Sequence, residues 1–211
     1  MKPLLVLTAG EFGHAVGRRL TALLPDREPR TAPLPDSAAQ AADLVRSASA
    51  LAVATWRPQV QACRWIDDAA HDAGVPWTLT ELHGTRLTCG PVVAPGHGPC
   101  YHCYQRRWAS HHPAPEREMV LERAYSRDPA LGLPGFVTPL VAIAAASLAE
   151  DLAAPERMAG RLRLVDVVTA AVQETAVLGI HACPRCGLKH DGPPGSRFIH
   201  HLAPAVEELL S

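Results

Sequence analysis

No excess of charge marks this 211-residue chain: 20 basic side chains stand against 21 acidic ones, and the formal net charge is −1. That balance, with no polybasic run, weighs against a surface for nucleic acid or for an anionic membrane. No charged segment followed by an apolar core and a small-residue cleavage site occurs at Met1. No apolar run approaches the roughly 18 residues that a membrane span needs. Reduced thiols and a cytoplasmic setting are therefore expected. Hydrolase signatures are missing too: there is no G-x-S-x-G elbow, no H-E-x-x-H, and no isolated cysteine in a nucleophile's setting. Lysine is scarce beside arginine and alanine, which reflects genomic bias rather than function.

What is present suits a packed α/β protein. Hydrophobic residues make up 47%, while 20 prolines and 15 glycines predict many loops. Leu4 to Ala9 is a continuous apolar run of strand length, after which Phe12, Val16, Leu20 and Leu23/Leu24 recur at helical spacing. Strand, glycine-rich turn and helix open a βαβ unit. A short strand around Thr31 to Leu34 and a helix capped by Asp36 or Ser37 and reaching Ser47 follow. Ala50 to Thr55 reads as a buried parallel strand, Gln59 to Ala73 as a helix stopped by Gly74, and Val75 to Leu82 as a strand. Arg86 to Val93 reads as extended, Gln105 to His111 and Glu116 to Arg127 as helices, Asp128 to Gly135 as a loop, and Phe136 to Ala153 as the most apolar helix. Arg161 to Val168 and Val172 to Leu178 alternate as an antiparallel hairpin, and a short helix is expected over Ala203 to Leu210. The order predicts a Rossmann-like, mostly parallel sheet with helices on both faces and an antiparallel C-terminal part. It divides into a domain over 1–188, with halves 1–84 and 85–188, and a C-terminal tail over 189–211.

Four of the six cysteines form two C-x-x-C turns, Cys100-Tyr101-His102-Cys103 and Cys183-Pro184-Arg185-Cys186. Each turn lets two sulfurs reach one metal at about 2.3 Å, and two turns close a tetrahedral Zn²⁺ shell with no position left for a substrate water. Such a site is structural, one ion per chain. The alternatives are two disulfides, which reduced thiols disfavour, and a thioredoxin-like redox pair, which the late position of C-P-R-C and the matching upstream turn disfavour. Because 80 positions separate Cys103 from Cys183, the metal would tie the middle of the chain to its C-terminal region. Cys63 and Cys89 read as buried small residues, and His181 and His190 as neighbours of a filled shell.

Histidines 102, 111, 112, 200 and 201 invite a second metal. Adjacent histidines point in different directions, however, so neither His-His pair has ligand geometry on its own. Arg106, Arg107, Arg117 and Arg123 read either as a solvated surface or as a patch for an anion or partner, because planar guanidinium groups suit carboxylates.

Gly90-Pro91-Val92-Val93, Pro95-Gly96 and Pro99-Cys100-Tyr101-His102-Cys103, then the apolar helix, the strand Leu162 to Asp166 and Cys183-Pro184-Arg185-Cys186, follow one another in an order that resembles the ThiF/MoeB-like superfamily. Those are adenylating proteins related to ubiquitin-activating enzymes. Pro76-Trp77, Gly90-Pro91, the Cys-Tyr-x-Cys turn and Arg106-Arg107 are similar, more narrowly, to the ThiF-like proteins that partner YcaO cyclodehydratases in making azol(in)e-containing ribosomal peptides. The resemblance implies a homodimer and a YcaO-type partner that supplies the ATP-dependent chemistry. It also implies a precursor peptide whose leader is gripped by an N-terminal winged-helix module. This chain opens on the sheet's first strand, so leader recognition is expected from a separate leader-binding protein or from an edge strand by β-augmentation.

Departures from that pattern bear on activity. An adenylating member needs a glycine-rich loop after the first strand, whose backbone N–H groups hold phosphates, and an acid after the second for the ribose. Here the loop reads Gly10-Glu11-Phe12-Gly13-His14-Ala15-Val16-Gly17, and Gly10, Gly13 and Gly17 are its degenerate cofactor-binding positions. Glu11 sets a carboxylate beside a phosphate's place, a repulsion on the order of a few kcal/mol in a low-dielectric pocket. It equally suits a helix's first turn. Asp36 is the candidate ribose acid, with N-capping the preferred role. Thr55-Trp56-Arg57-Pro58 stands where adenylating members place an aspartate, and Asp67 and Asp68 read as a solvated helix face. No catalytic residue is assigned, and ATP with Mg²⁺ is disfavoured. The expected function is a non-catalytic ThiF-like scaffold for a YcaO-type cyclodehydratase. The alternatives are an ATP-dependent adenylating enzyme acting on a peptide carboxylate, and a zinc-ribbon nucleic-acid binder.

Overall fold

Apolar strands without alternation demand cover on both faces, and three of the first four strands receive it. In the computed structural model, which describes residues 2–128, 131 and 135–187, β1 (Leu4–Ala9), β2 (Arg30–Pro33), β3 (Ala50–Trp56) and β4 (Trp77–His83) run parallel in the order β2-β1-β3-β4. The chain then turns at Gly84 into β5 (Arg86–Cys89). From there the sheet continues antiparallel through β6 (Arg161–Asp166) to β7 (Val172–Ala176). Six α-helices and one 3-10 turn (Pro25–Arg27) complete the described residues: α1 (Gly10–Leu23), α2 (Ala38–Arg46), α3 (Val60–Ala73), α4 (Tyr101–His111), α5 (Pro115–Arg127) and α6 (Thr138–Ala153). No helix among them is long and apolar enough to cross a membrane. The tail over 189–211, with the short helix expected at Ala203 to Leu210, lies outside the described residues.

Successive strand residues feed opposite layers, as the period of two requires. Leu4, Val6, Ala50, Ala52 and Ala54 join Phe12, Val16 and Leu20 of α1 and Leu148 and Leu152 of α6. Leu5, Leu7, Leu51 and Val53 join Val45 of α2 and Ile66 and Ala70 of α3 on the other face. The Rossmann-like, two-faced architecture with an antiparallel C-terminal part is thus the fold.

Local signals set several boundaries. Ser37 rather than Asp36 caps α2: its Oγ accepts from the Gln40 N–H at 3.4 Å, and Gln40 Oε1 accepts from the Asp36 N–H at 2.7 Å. Gly74, at φ +66°, closes α3 in the left-handed region that suits glycine.

Two expectations require correction. The stretch from Gly10 to Gly17 is not a loop: α1 begins at Gly10, directly on the end of β1, and Gly13 and Gly17 lie in its first two turns. The reason is close packing. A Cβ at Gly13 would lie 2.2 Å from the Ala54 carbonyl oxygen, and one at Gly17 would lie 2.7 Å from Thr8 Cγ2. The helix after the first cysteine turn likewise starts earlier than Gln105, because Cys100 is itself the N-cap of α4 and Cys103 lies in its first turn.

Candidate metal centre

Folding brings the two cysteine turns together at the N-terminus of α4. Cys100 Sγ lies 3.8 Å from the sulfurs of both Cys103 and Cys183, and Cys103 Sγ lies 3.4 Å from that of Cys186. All four sulfurs fall within 4.8 Å of one another. A tetrahedron with metal–sulfur bonds of about 2.3 Å has edges of about 3.8 Å, so the thiols already stand close to a tetrathiolate cage. A disulfide would need about 2.05 Å, and all six cysteines are free. The cluster could hold a metal ion, and its four protein donors would fill the shell.

Neighbours tune this group. The Ile180 N–H donates to Cys103 Sγ at 3.3 Å, and Val177, Leu162 and Tyr104 pack against the cluster. Burial pushes the Cys100 thiol up and Cys186 to about 11. At Cys183 burial acts in the same sense, but hydrogen bonds from the backbone of Arg185 and Cys186 prevail and bring the thiol down to about 7. One thiolate thus forms readily near neutral pH, whereas gathering several within 4 Å calls for a cation.

Asp67 and Asp68, expected together on a solvated face, separate. Asp67 is 2% exposed; its Oδ1 accepts from Trp77 Nε1 at 3.4 Å and from the Tyr101 N–H at 3.2 Å, and its Oδ2 lies 4.0 Å from Arg185 Nε. Asp68 is exposed and pairs with the same guanidinium. Asp67 faces inward because it shares the buried stripe of α3 with Cys63, Ile66 and Ala70. Burial raises its pKa, against the stabilising hydrogen bonds from Tyr101 and Trp77 and the charge of Arg185.

The crevice between β1 and β3, where the strand order reverses, is the usual ligand position of an open α/β sheet. Aromatic rings occupy it here. Phe136 meets Phe12 at 5.3 Å and Trp56 at 5.8 Å, both edge to face. Gly10, at φ +71°, backs onto Trp56, whose Cβ a side chain at position 10 would meet at 2.9 Å. Arg57 is 5% exposed at φ +87°, with its guanidinium 4.9 Å from the Trp56 ring centre and 5.0 Å from that of Tyr125. Tyr125 Oη in turn lies 3.4 Å from His83 Nε2, which fastens α5 to the strand end. Sequence reasoning singled out Thr55 to Pro58 for the acid it lacks and missed the rings it supplies. The signal was the tryptophan itself, at the end of a buried parallel strand.

Other candidates scatter. Arg107 donates to the carbonyls of Leu178 and Gly179 at 3.4 and 3.3 Å, Arg117 pairs with Glu118 at 3.3 Å, and Arg106 and Arg123 are exposed. His112 stacks on Trp108 with ring centres 4.5 Å apart, while Cys63 and Cys89 are buried. His190, His200 and His201 lie outside the described residues.

Fold and site together define a Rossmann-like mixed sheet joined to a four-cysteine cluster. Solved structures with this fold include the heterocyclase TruD, with a TM-score of 0.62 at 17% identity over 96% of this chain and 32% of that one. Escherichia coli MccB with succinimide gives 0.60 at 14% identity over 88% and 67%. The E. coli microcin synthetase McbBCD complex gives 0.60 at 12% over 86% and 67%. The chain therefore spans about a third of the length of TruD. At these identities the likeness is one of fold. No family model and no curated protein matches the chain.

Proposed function

We propose that this chain is a non-catalytic, ThiF-like partner of a YcaO-type cyclodehydratase in the biosynthesis of azoline-containing ribosomal peptides. The peptide-processing part draws support from the fold, which is that of a heterocyclase and of a microcin synthetase complex. The observation that carries the non-catalytic part is the aromatic closure of the β1–β3 crevice by Phe12, Trp56 and Phe136. Gly10, Gly13 and Gly17, the positions at which a relative would cradle phosphates, are here in contact distance of Trp56, Ala54 and Thr8. Glu11 adds a first-turn carboxylate. The helix end thus meets rings and an acid.

In the same reading Cys100, Cys103, Cys183 and Cys186 hold one structural Zn²⁺, which supplies no reaction chemistry and joins α4 to the segment after β7. The 1–84 half carries the degenerate nucleotide-type crevice and the 85–188 half the metal. A cytoplasmic homodimer completes the proposal.

Reconstitution tests it. The chain, a YcaO-type enzyme from the same gene neighbourhood and a short precursor from that neighbourhood are combined with ATP, and loss of water from the precursor is followed by mass spectrometry. Dehydration that requires both proteins is expected, with no pyrophosphate exchange by this chain alone. Exchange that disappears on changing Gly10 and Gly13 would make it an adenylating enzyme instead.

A further inference from the structure

We propose that the open edge of β7, with the groove between β7 and α4, docks an extended acidic peptide segment of a partner protein. Among the described residues β7 is the last strand of the sheet, and all five of its residues are exposed. The ladder shows which backbone groups face out. The Val177 N–H donates to the Gly160 carbonyl at 2.7 Å and the Asp166 N–H to the Ala171 carbonyl at 2.9 Å. Antiparallel pairs alternate, so Leu162–Thr175 and Leu164–Gln173 are also hydrogen-bonded pairs. Val172, Glu174 and Ala176 therefore direct their N–H and C=O groups away from β6, where an added strand could take them.

Natural sheet edges are blunted by lysine, proline or bulges. The other edge, β2, carries Pro33. β7, reading Val-Gln-Glu-Thr-Ala, carries neither lysine nor proline. Its one acid, Glu174, is turned to the far face, where it shares Arg161 and Arg163, at 3.3 and 3.2 Å, with Glu150.

Beside this edge runs a groove of about 320 Å³, with Leu162 and Thr175 on its floor and Tyr104, Arg107, Trp108 and His111 on its wall. No carboxylate among the described residues lines it. Tyr104 and Trp108 are four residues apart on α4, hence neighbours on one face, and they frame an apolar slot for every second side chain of an added strand. Arg107 brings positive charge to the same wall, and the exposed Arg106 adds to it on the same helix. Main-chain bonds would supply affinity, the slot would select an apolar side chain, and the cations would select acidic neighbours.

The proposed function enters only in the choice of a peptide as occupant. Fluorescence anisotropy on the full, metal-loaded chain, with no cyclodehydratase present, tests the groove separately from the reconstitution. The probe is a fluorescein-labelled heptapeptide alternating glutamate with valine, leucine and phenylalanine. It is compared with its lysine counterpart and with a version methylated on alternate backbone nitrogens. The acidic probe is expected to bind at least tenfold more tightly than either, and less tightly as salt is raised. Ala176→Pro removes one outward N–H without breaking a bond to β6, and His111→Glu places a negative charge on the groove wall. Each should weaken binding about tenfold with the circular dichroism unchanged. Absence of binding, equal binding of the three probes, or unchanged affinity in Ala176→Pro would overturn the proposal. So would concentration-dependent self-association of the wild type that Ala176→Pro abolishes, since the occupant would then be a second copy of the chain.

Discussion

The Asp67 carboxylate lies 4.0 Å from the Arg185 guanidinium and 3.2 Å from the Tyr101 N–H, so a single buried acid on α3 holds both cysteine turns in register. Its other partner, Trp77 Nε1, ties the same group to β4. Asp67→Ala would leave two buried donors without an acceptor, each costing about 1–3 kcal/mol. Urea unfolding should show a loss of roughly 3 kcal/mol, with faster release of metal to a chelator. Asp68→Ala, on the exposed neighbour, should change stability by less than about 0.5 kcal/mol, as surface substitutions generally do. Equal effects of the two substitutions would rule out the anchoring role.

That role was hidden in the sequence, where Asp67 and Asp68 are adjacent acids in a charged helix. Periodicity placed α3, and the stripe of Cys63, Ile66 and Ala70 already runs through position 67, but the charge of the side chain masked it. The strands were more legible. β1 was bounded by the apolar run Leu4 to Ala9 itself, and α3 by Gly74, because burial and a left-handed cap leave local marks. The glycines misled for a related reason: Gly13 and Gly17 look like loop residues, but a helix pressed against backbone needs glycine just as much. The four cysteines could be paired from their spacing; that Cys100 caps a helix could not be read from it.

Close packing at Gly13 yields a second prediction. Alanine is the better helix former, so in an exposed helix Gly→Ala would stabilise by up to about 1 kcal/mol. At Gly13 the new Cβ would stand 2.2 Å from the Ala54 carbonyl oxygen, a backbone atom on a central strand that cannot yield cheaply. Gly13→Ala is expected to destabilise by about 1–3 kcal/mol, as overpacked cores do, and to lower the melting temperature. A stabilised Gly13→Ala variant would show that α1 stands off the sheet.

The cysteine cluster makes a third. Metal analysis of the purified chain should give one zinc, and Cys100→Ser or Cys183→Ser should abolish binding. Structural zinc sites contribute folding energy directly, so either substitution should free the segment after β7 from α4. Hydrogen exchange would register this as lost protection at Cys103 and Ile180, whose sulfur and N–H now pair at 3.3 Å. The parallel half should keep most of its protection, because its two core layers contain none of the four sulfurs and only Tyr101 of α4 reaches into one of them, beside Trp77. Full protection after removal of the metal would contradict the assignment.

Two acids with raised pKa values set the pH response. Glu81, on β4 across a cleft from Tyr104 and Trp108, is pushed up to about 8 by burial, with Glu122 and Glu118 acting in the same sense. Asp151 is pushed up to about 6 by burial, against the Thr78 hydrogen bond and the charge of Arg161. In the unfolded chain these groups titrate near 4.5 and 3.8. As pH rises from about 4 to 8, the folded state therefore retains protons that the unfolded state has released, and the unfolding free energy falls. Glu81→Gln removes the larger contribution. Its advantage over wild type should be absent near pH 4, grow through pH 6 and be complete above pH 8, as measured by urea unfolding of both proteins at each pH. Taking the difference cancels the thiol protonation that weakens any metal site in acid. A constant difference across that range would mean that Glu81 does not carry a raised pKa in the folded protein.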